Sequence, residues 1–369
     1  MDFSGFADIK VIDGHVHFRD LIWTDAILEW MDQVGLASVN LVSTPSMETV
    51  NQNADLIYLK ACYPERFYAS GGLDYLQAMA DRAHMSELLG AQIHTLKAVG
   101  FDGLKLIEGK PTARKRLQIP LDAPEYEGMW AALEALQMPI VCHVADPEEF
   151  WDRDKVPSWA LTRDWFYGDG TFPTKEALYA EIDHVLSRHP TLKLILAHFY
   201  FLSADLGRAA RLLDAYPSVC LDITPGGEMY NHFTRSDGAA RAFFLRYQDR
   251  IIYGTDVSTR AIQHGGIEAP SSYAHFVRTF LETAEPFTPP PLIPHWLEDD
   301  LEAIVPIELP RDALDKIYHG NLERLYGASP APLNREAALA ELARIADEID
   351  ALQDAGSENP ARDVLARLE

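Results

Sequence analysis

Eight short runs of apolar and β-branched residues divide this 369-residue chain, and helix-like segments fill the intervals between them. Runs of this length, each followed by a segment with helical spacing, are typical of repeated βα units. The predicted strands are Lys10–His17, Ala37–Ser43, Phe67–Leu73, Asp102–Ile107, Pro139–Val144, Lys193–His198, Val219–Thr224 and Ile251–Asp256. Eight such units predict an α/β fold of the TIM type, a closed (β/α)8 barrel.

An open, doubly wound sheet is the main alternative, because it has the same alternation of strands and helices. Dinucleotide-binding sheets of that kind carry a Gly-x-Gly-x-x-Gly turn after a strand, and this sequence has no such turn after any of the eight runs. The predicted helices include Thr24–Gln33, Met85–Val99, Ala123–Leu136, Lys175–Arg188, Ala204–Tyr216 and Gly238–Tyr247. Several end in helix-stop signals such as Gly100. The missing Gly-x-Gly-x-x-Gly turn favours the barrel.

Two connections are longer than a barrel requires. Ala145–Thr174 follows the fifth strand and is rich in tryptophan, which favours an ordered lid over a plain loop. After Asp256, a proline-rich stretch at Pro286–Pro294 precedes a final barrel helix predicted over Arg311–Tyr326. The sequence therefore predicts a barrel with long βα loops.

The end of the chain predicts a separate helical element. We expect a barrel domain over residues 1–327 and a C-terminal helical extension over residues 328–369, because Asn334–Gln353 has apolar side chains at helical spacing. That apolar face must pack either on the barrel or on a second subunit. A homodimer is therefore one of the arrangements that we expect.

Charge and cysteine content restrict the partners and the compartment. The formal net charge of −24 repels phosphate backbones and anionic membranes, so we expect neither nucleic acid nor a membrane as a partner. Three irregularly spaced cysteines without a Cys-x-x-Cys motif predict no disulfide framework. The first residues have neither the basic region nor the apolar stretch of a secretion signal, and together with the cysteines this fits a cytoplasmic protein. The expected partner is a small-molecule substrate.

Metal-ligand side chains stand at the ends of four of the predicted strands. The first strand ends in His15-Val16-His17, and later strands end in His143, His198 and Asp256. Alternate residues of a strand share a face, so His15 and His17 point the same way. Barrel interiors favour Val, Ile and Leu, and polar groups there need partners. Together these residues predict a divalent metal site at the carboxyl ends of the strands.

This set of strand ends resembles the amidohydrolase superfamily of metal-dependent barrels. The segments Ile251–Asp256 and Ile317–Leu325 are similar to those of the amidohydrolase-related branch that includes aminocarboxymuconate-semialdehyde decarboxylase. The resemblance implies that His15, His17, His143 and Asp256 bind one ion, most readily zinc, with manganese as the other candidate. It implies for His198 either a second ion or a catalytic role beside the first.

The resemblance implies two reactions that the sequence does not separate. The first is hydrolysis of a cyclic amide, a lactone or a related C–N or C–O bond in a small, carboxylate-bearing substrate, using a metal-activated water. The second is non-oxidative decarboxylation of a small unsaturated or aromatic acid. Asp256 and His198 would transfer protons in both. A catalytically silent barrel, the third hypothesis, predicts no bound metal.

Lys105 lies in the fourth strand, where binuclear relatives use a carboxylated lysine to bridge two ions. As a carboxylated ligand Lys105 would imply two ions; as an ordinary lysine it would bind a substrate carboxylate or pair with a nearby acid. One ion is the expected number. For substrate binding, the sequence offers Arg19, Arg260, Trp151 and Tyr230, which lie after strand ends or in the aromatic loop.

Overall fold

A computed structural model describes residues 1–45, 51–226, 228–293, 301–352 and 359–369. Its parallel strands are β1 (Val11–His17), β2 (Leu36–Val42), β3 (Phe67–Gly71), β4 (Gly103–Gly109), β5 (Ile140–Val144), β6 (Leu194–Leu196), β7 (Cys220–Asp222), β8 (Ile251–Ile252) and β9 (Val257–Ser258). Each strand pairs with its neighbour in sequence order from β1 to β8. Because β9 pairs with β1, the sheet closes, and the predicted barrel is confirmed.

The predicted eighth strand is divided into two short pieces. β8 pairs with β7, and β9 pairs with β1, so both together fill one position of the barrel. Between them the backbone leaves the extended conformation at Asp256, which has a φ of 56°. The Thr255 amide and hydroxyl donate instead to the Asp13 carboxylate, at 3.2 and 2.6 Å. The interruption therefore exposes Asp256 at the barrel mouth.

Helices cover the outside of the barrel. In the described residues they are α1 (Thr24–Val34), α2 (Asn53–Cys62), α3 (Tyr75–Ala80), α4 (Met85–Val99), α5 (Pro111–Leu117), α6 (Glu127–Ala135), α7 (Ser158–Leu161), α8 (Lys175–Arg188), α9 (Leu206–Ala215), α10 (Met229–Arg235), α11 (Ala239–Arg246), α12 (Thr259–Gly265), α13 (Glu268–Glu282), α14 (Arg311–Asp315), α15 (Asn321–Tyr326), α16 (Arg335–Leu352) and α17 (Pro360–Leu368). Both α4 and α8 have the predicted bounds. A π-helical turn, Lys316–Gly320, joins α14 to α15 within the predicted final helix.

Local sequence explains where several helices begin and end. Gly100 ends α4 in a left-handed conformation, with a φ of 106°, and its amide donates to the carbonyl groups of the last helical turn. At the start of α8, the Thr174 hydroxyl accepts a hydrogen bond from the Ala177 amide. A glycine after a helix and a threonine before one are thus the residue types that commonly end and begin helices.

Two apolar clusters lie on the two sides of the strands. The larger one packs the strands against the outer helices and includes Val11 and Val16. A smaller cluster includes Ile12 and residues of six other strands, together with Leu322 of α15. Because residues 11 and 16 would face opposite sides of a regular strand, the register shift of β1 between Asp13 and Val16 is what directs both outward. It leaves the flanking histidines on the inner side.

The C-terminal helices pack on the barrel. α16 lies against α4 and α2, and α17 lies against α2 and α16. The side chains of Ala338, Leu342, Ile345 and Ile349 are buried there. The apolar face that the sequence predicts is thus covered within one chain. Two predicted segments end at residues outside the described ranges, Pro294 and Gln353. Among the described helices, none has both the length and the apolar character that crossing a membrane requires.

Candidate metal centre

Three side chains converge at the mouth of the barrel, from the end of β1 and the break in the eighth strand. Asp256 Oδ1 lies 3.2 Å from His17 Nε2 and 3.5 Å from His15 Nε2. One ligand atom from each of the three residues lies within 4.8 Å of the other two. Two imidazoles and a carboxylate at this spacing form a donor set that fits a divalent ion. In the described residues, no other set of three such side chains has this spacing.

Asp222, at the end of β7, orients two of the histidines. Its Oδ2 accepts a hydrogen bond from His15 Nδ1 at 2.9 Å, and its Oδ1 accepts one from the Thr224 hydroxyl at 2.6 Å. Since that hydroxyl already donates to Asp222, its oxygen accepts from His198 Nδ1, 3.0 Å away. Both rings therefore carry their proton on Nδ1, which leaves the Nε2 lone pairs for a metal or a proton.

His143 lies beside this group and outside the set of three residues at ligand spacing. Its ring centroid is 4.9 Å from that of His198. Its Nε2 lies 3.0 Å from the Ala145 carbonyl oxygen and 3.1 Å from Asp146 Oδ1, and it donates to these acceptors. Nδ1 is then the nitrogen with a free lone pair. The predicted ligand thus occupies the mouth, while its contacts are with the loop after β5.

Lys105 reaches the centre from β4. Its Nζ donates to His15 Nε2 at 2.8 Å, and its side chain is buried. Burial lowers the pKa of Lys105 to about 8, although the carboxylates of Asp256 and Asp222 act in the opposite direction. The lone pair of His15 Nε2, which is suited to bind a metal, therefore faces Lys105. This buried lysine loses its proton more easily than an exposed lysine does.

Burial also sets the protonation of the ligands. It lowers the pKa of the His17 imidazole to about 4 and that of His143 to about 3. For Asp256, burial by itself would raise the pKa, but the hydrogen bond from His17 and the neighbouring imidazoles hold it well below its usual range. Neutral imidazoles and an ionised carboxylate are the forms that bind a cation.

The backbone at the mouth is strained at several positions. His198, Phe199, Tyr200 and Phe201 follow β6 in four successive left-handed conformations, with φ between 50° and 57°. Ala145 and Asp256, after β5 and at the break in the eighth strand, also have positive φ. Such conformations are costly for residues with a Cβ and tend to cluster at functional sites. The run after β6 turns both His198 and Phe201 toward the same space.

That space is a cavity of about 240 Å³, which we call the metal-side cavity. Its lining includes His143, His198 and Asp256, the aromatic residues Phe150, Trp159, Trp165 and Phe201, and the cations Lys110 and Arg163. Lys110 is paired with Asp146 at 2.8 Å. The Arg163 guanidinium lies over the rings of Trp159 and Trp165, 5.4 and 5.3 Å from their centroids, and is exposed to solvent. The lid thus supplies both flat apolar walls and a positive charge.

None of the four predicted substrate contacts lines the metal-side cavity. Arg19 and Arg260 do not line the metal-side cavity, and Arg19 instead donates to the Thr44 hydroxyl. Tyr230 is buried against Phe276 and Phe280, and its hydroxyl donates to the Ile223 carbonyl. Trp151 lines a neighbouring cavity. A position after a strand end or in the aromatic loop therefore does not by itself predict which of these side chains line the cavity.

Several residues of the centre were missed in the sequence. Asp146, three positions after His143, accepts from Lys110 Nζ at 2.8 Å and from the Tyr167 hydroxyl at 2.7 Å. Its position three residues after a predicted metal ligand was the sequence feature that could have identified it. Arg163 carried no such signal, because its position depends on how the long loop folds. Lys110 directly follows β4, so its place after a strand end was the available signal.

Replacing His15 tests the centre directly. We expect His15→Ala to lower the metal content of the purified protein by about tenfold or more, because the variant loses a ligand atom. His84→Ala is the matched control. Because His84 is exposed and pairs with Asp81 away from the centre, the metal content of this variant should equal that of the wild type. Elemental analysis of both proteins provides the measurement. Equal metal content in the two variants would contradict the assignment.

Comparison with known proteins agrees with this architecture. A family model described as Amidohydrolase matches residues 12–328. No curated protein sequence matches the chain. Among solved structures, similar folds include a putative amidohydrolase from Staphylococcus aureus, with 17% identity over 86% of this chain and 100% of that one, and a TM-score of 0.52.

Two decarboxylases are also similar in fold, each over 86% of this chain. The 2,6-dihydroxybenzoate decarboxylase from Rhizobium is 15% identical, is covered over 98% of its length and has a TM-score of 0.50. A dihydroxybenzoic acid decarboxylase from Polaromonas, solved with manganese and the inhibitor 2-nitroresorcinol, is 15% identical, is covered over 97% and has a TM-score of 0.50. At this identity the likeness concerns the fold.

Proposed function

Because this chain belongs to the amidohydrolase family, we propose that it is a metal-dependent hydrolase of a small, planar, carboxylate-bearing substrate. The bond cleaved is a cyclic amide, a lactone or a related C–N or C–O bond. One observation carries the proposal: His15, His17 and Asp256 converge beside a small cavity with aromatic walls and a cation at its rim. A cavity of about 240 Å³ suits a substrate with a single ring.

In this proposal His15, His17 and Asp256 hold the ion, with His143 as a further ligand through Nδ1. A bound divalent ion supplies Lewis-acid polarisation of a substrate oxygen. His198 accepts a proton at Nε2, because its Nδ1–H is fixed by Thr224. Zinc is the proposed ion, since imidazole and carboxylate are ligands that it takes. One ion is proposed, because the described residues contain one such group.

The side chains around the reacting centre favour hydrolysis over decarboxylation. Asp256 is ionised, and the free nitrogen of His198 carries a lone pair, so both accept protons. Hydrolysis requires an acceptor for the proton of the attacking water. Decarboxylation leaves a carbanion that requires a donor. Neither of these two residues supplies one in this state, and the Lys105 ammonium group already donates to His15 Nε2 at 2.8 Å.

Decarboxylation of an aromatic acid is the second candidate, because the cavity walls favour it. Phe150, Trp159, Trp165 and Phe201 present flat faces that suit an aromatic ring. A panel of lactones, cyclic amides and aromatic acids separates the two reactions, with the protein loaded with zinc or manganese. Ring opening with incorporation of ¹⁸O from labelled water is the expected result. Release of CO₂ without incorporation of the label would reject hydrolysis and support the second candidate.

Arg163 is the proposed contact for the substrate carboxylate. Lys110 is already neutralised by Asp146, whereas Arg163 lies over two tryptophan rings and makes no ion pair with another described residue. We expect Arg163→Ala to raise KM by roughly tenfold to a hundredfold, because a charge-assisted hydrogen bond is lost. kcat should change less.

The matched control is Arg246→Ala. Arg246 is an exposed residue of α11 and pairs with Asp214 of α9 at 2.8 Å. Its KM should equal that of the wild type. Steady-state kinetics on the substrate found in the panel provide the measurement. An unchanged KM in Arg163→Ala would remove this residue from the proposed binding site.

A further inference from the structure

A second cavity, of about 630 Å³, lies next to the metal-side cavity, and Phe201 lines both. The lid contributes Glu149 and Trp151 to its wall, and the barrel contributes Lys175 and Glu228. None of the roles proposed above uses Glu149, Lys175 or Glu228. The second cavity therefore requires its own explanation.

Glu228 is the unusual member of this wall. Its side chain lies just before α10 and is buried, with 2% exposure. Neither of its carboxylate oxygens has a hydrogen-bond partner among the described residues, and Oε2 of Glu149 is also buried without a partner. Buried acceptors without donors are rare in folded proteins, because they lose the hydrogen bonds that water would make. Burial also raises the pKa of Glu228 to about 7.

The lysine and arginine side chains of the wall are already engaged. Lys155 pairs with Asp152 at 3.4 Å, and the Arg153 guanidinium lies 5.2 Å from the centroid of the Phe166 ring. Lys175 donates to the Phe201 carbonyl at 3.2 Å and makes no ion pair with Glu228 in the described structure. Lys175 therefore acts on Glu228 only by its charge. What the second cavity lacks is a hydrogen-bond donor to the two glutamates.

A metal ion does not meet this need. Across the described part of the chain, neither Glu228 nor Glu149 belongs to a group of three imidazole, thiolate or carboxylate side chains at ligand spacing. The space is also much larger than an ion. Aromatic faces of Trp151, Phe166 and Phe201 line it, and such faces attract organic cations.

We propose that the second cavity is a binding site for the protonated amine of a small aromatic molecule, with Glu228 as its principal acceptor. Glu149 accepts a second hydrogen bond from the same ammonium group, and the aromatic residues contact its ring. The site is separate from the metal centre, so its occupation does not depend on which reaction that centre catalyses.

Calorimetric titration of the full-length protein tests the proposal with three probes of one shape. Phenethylamine carries a positive charge, 2-phenylethanol is neutral and phenylacetate is negative. The amine should bind at least tenfold more tightly than the alcohol, because a charge-assisted hydrogen bond is stronger than a neutral one. Equal affinity of amine and alcohol would overturn the proposal. So would tighter binding of phenylacetate than of the amine in Arg163→Ala, which lacks the carboxylate contact proposed for the metal-side cavity.

Two isosteric variants locate the bound amine. Glu228→Gln should weaken phenethylamine binding by roughly tenfold to a hundredfold, since the anionic acceptor becomes a neutral amide. Glu148→Gln changes an exposed glutamate on the same wall and should leave the affinity within about twofold of the wild type, since exposed charges contribute little. Wild-type affinity in Glu228→Gln would refute the site. If that variant does not fold, Glu149→Gln replaces it, with a loss of at least threefold expected and no loss counting against the proposal.

Discussion

Asp256→Asn should abolish turnover while leaving the barrel folded. The carboxylate lies within 3.5 Å of both His15 Nε2 and His17 Nε2, and it remains ionised because its pKa is held well below the usual range. An asparagine has the same shape but is neither an anionic ligand nor a proton acceptor. We expect a loss of about 10³-fold or more in kcat/KM, together with a lower metal content.

The substitution is well suited to its position. Asp256 has a φ of 56°, and asparagine is among the residues that tolerate the left-handed region best. A loss of activity through unfolding is therefore not expected, and thermal unfolding of the variant checks this. Asp249→Asn, at an exposed position paired with Lys316, is the matched control and should retain full activity. Activity above about a tenth of the wild-type value in Asp256→Asn would contradict the proposed centre.

Asp222→Asn should disrupt the centre without removing any proposed ligand. The two carboxylate oxygens receive the Nδ1–H of His15 and, through Thr224, fix the Nδ1–H of His198. An amide nitrogen in the place of Oδ2 would donate to His15 Nδ1 and move the ring proton to Nε2. That nitrogen would then have no lone pair for the ion. We expect metal affinity to fall by about tenfold to a hundredfold.

Competition with a chromophoric chelator measures this affinity, and circular dichroism reports the fold. Asp214→Asn, an exposed position on α9, is the control and should bind metal as the wild type does. A purely structural role for Asp222 would change the melting temperature and leave the metal dissociation constant of the folded protein unchanged. That outcome would show that the proton positions do not matter for metal binding.

The barrel and the convergence of its strand ends are predictable from the sequence because they depend on short-range patterns. The eight apolar runs give the strand positions, and the carboxyl ends of parallel strands meet at one edge. His15, His17 and Asp256 follow from that rule alone. The register shift of β1 between Asp13 and Val16 does not, because it depends on pairing with β2. It nevertheless determines that both histidines face inward.

Residues of the long loops were the least predictable. Arg163 reaches the metal-side cavity because the lid packs Trp159 and Trp165 around it, a tertiary arrangement with no sequence period. Arg19 follows the histidine pair and is one of the predicted substrate contacts, yet its side chain donates to Thr44. The hydrogen bonds that set the ring protons also depend on distant elements: Asp222 lies 207 positions from His15.

The four left-handed residues after β6 have a consequence for engineering this protein. Each carries a conformational cost of roughly 1–2 kcal/mol that the rest of the chain must offset. Glycine at Phe199 or Tyr200 would release part of that cost, but it would also free the neighbouring histidine to leave its working orientation. Heat resistance is better sought in the outer shell and the C-terminal helices, where added rigidity does not compete with reactivity.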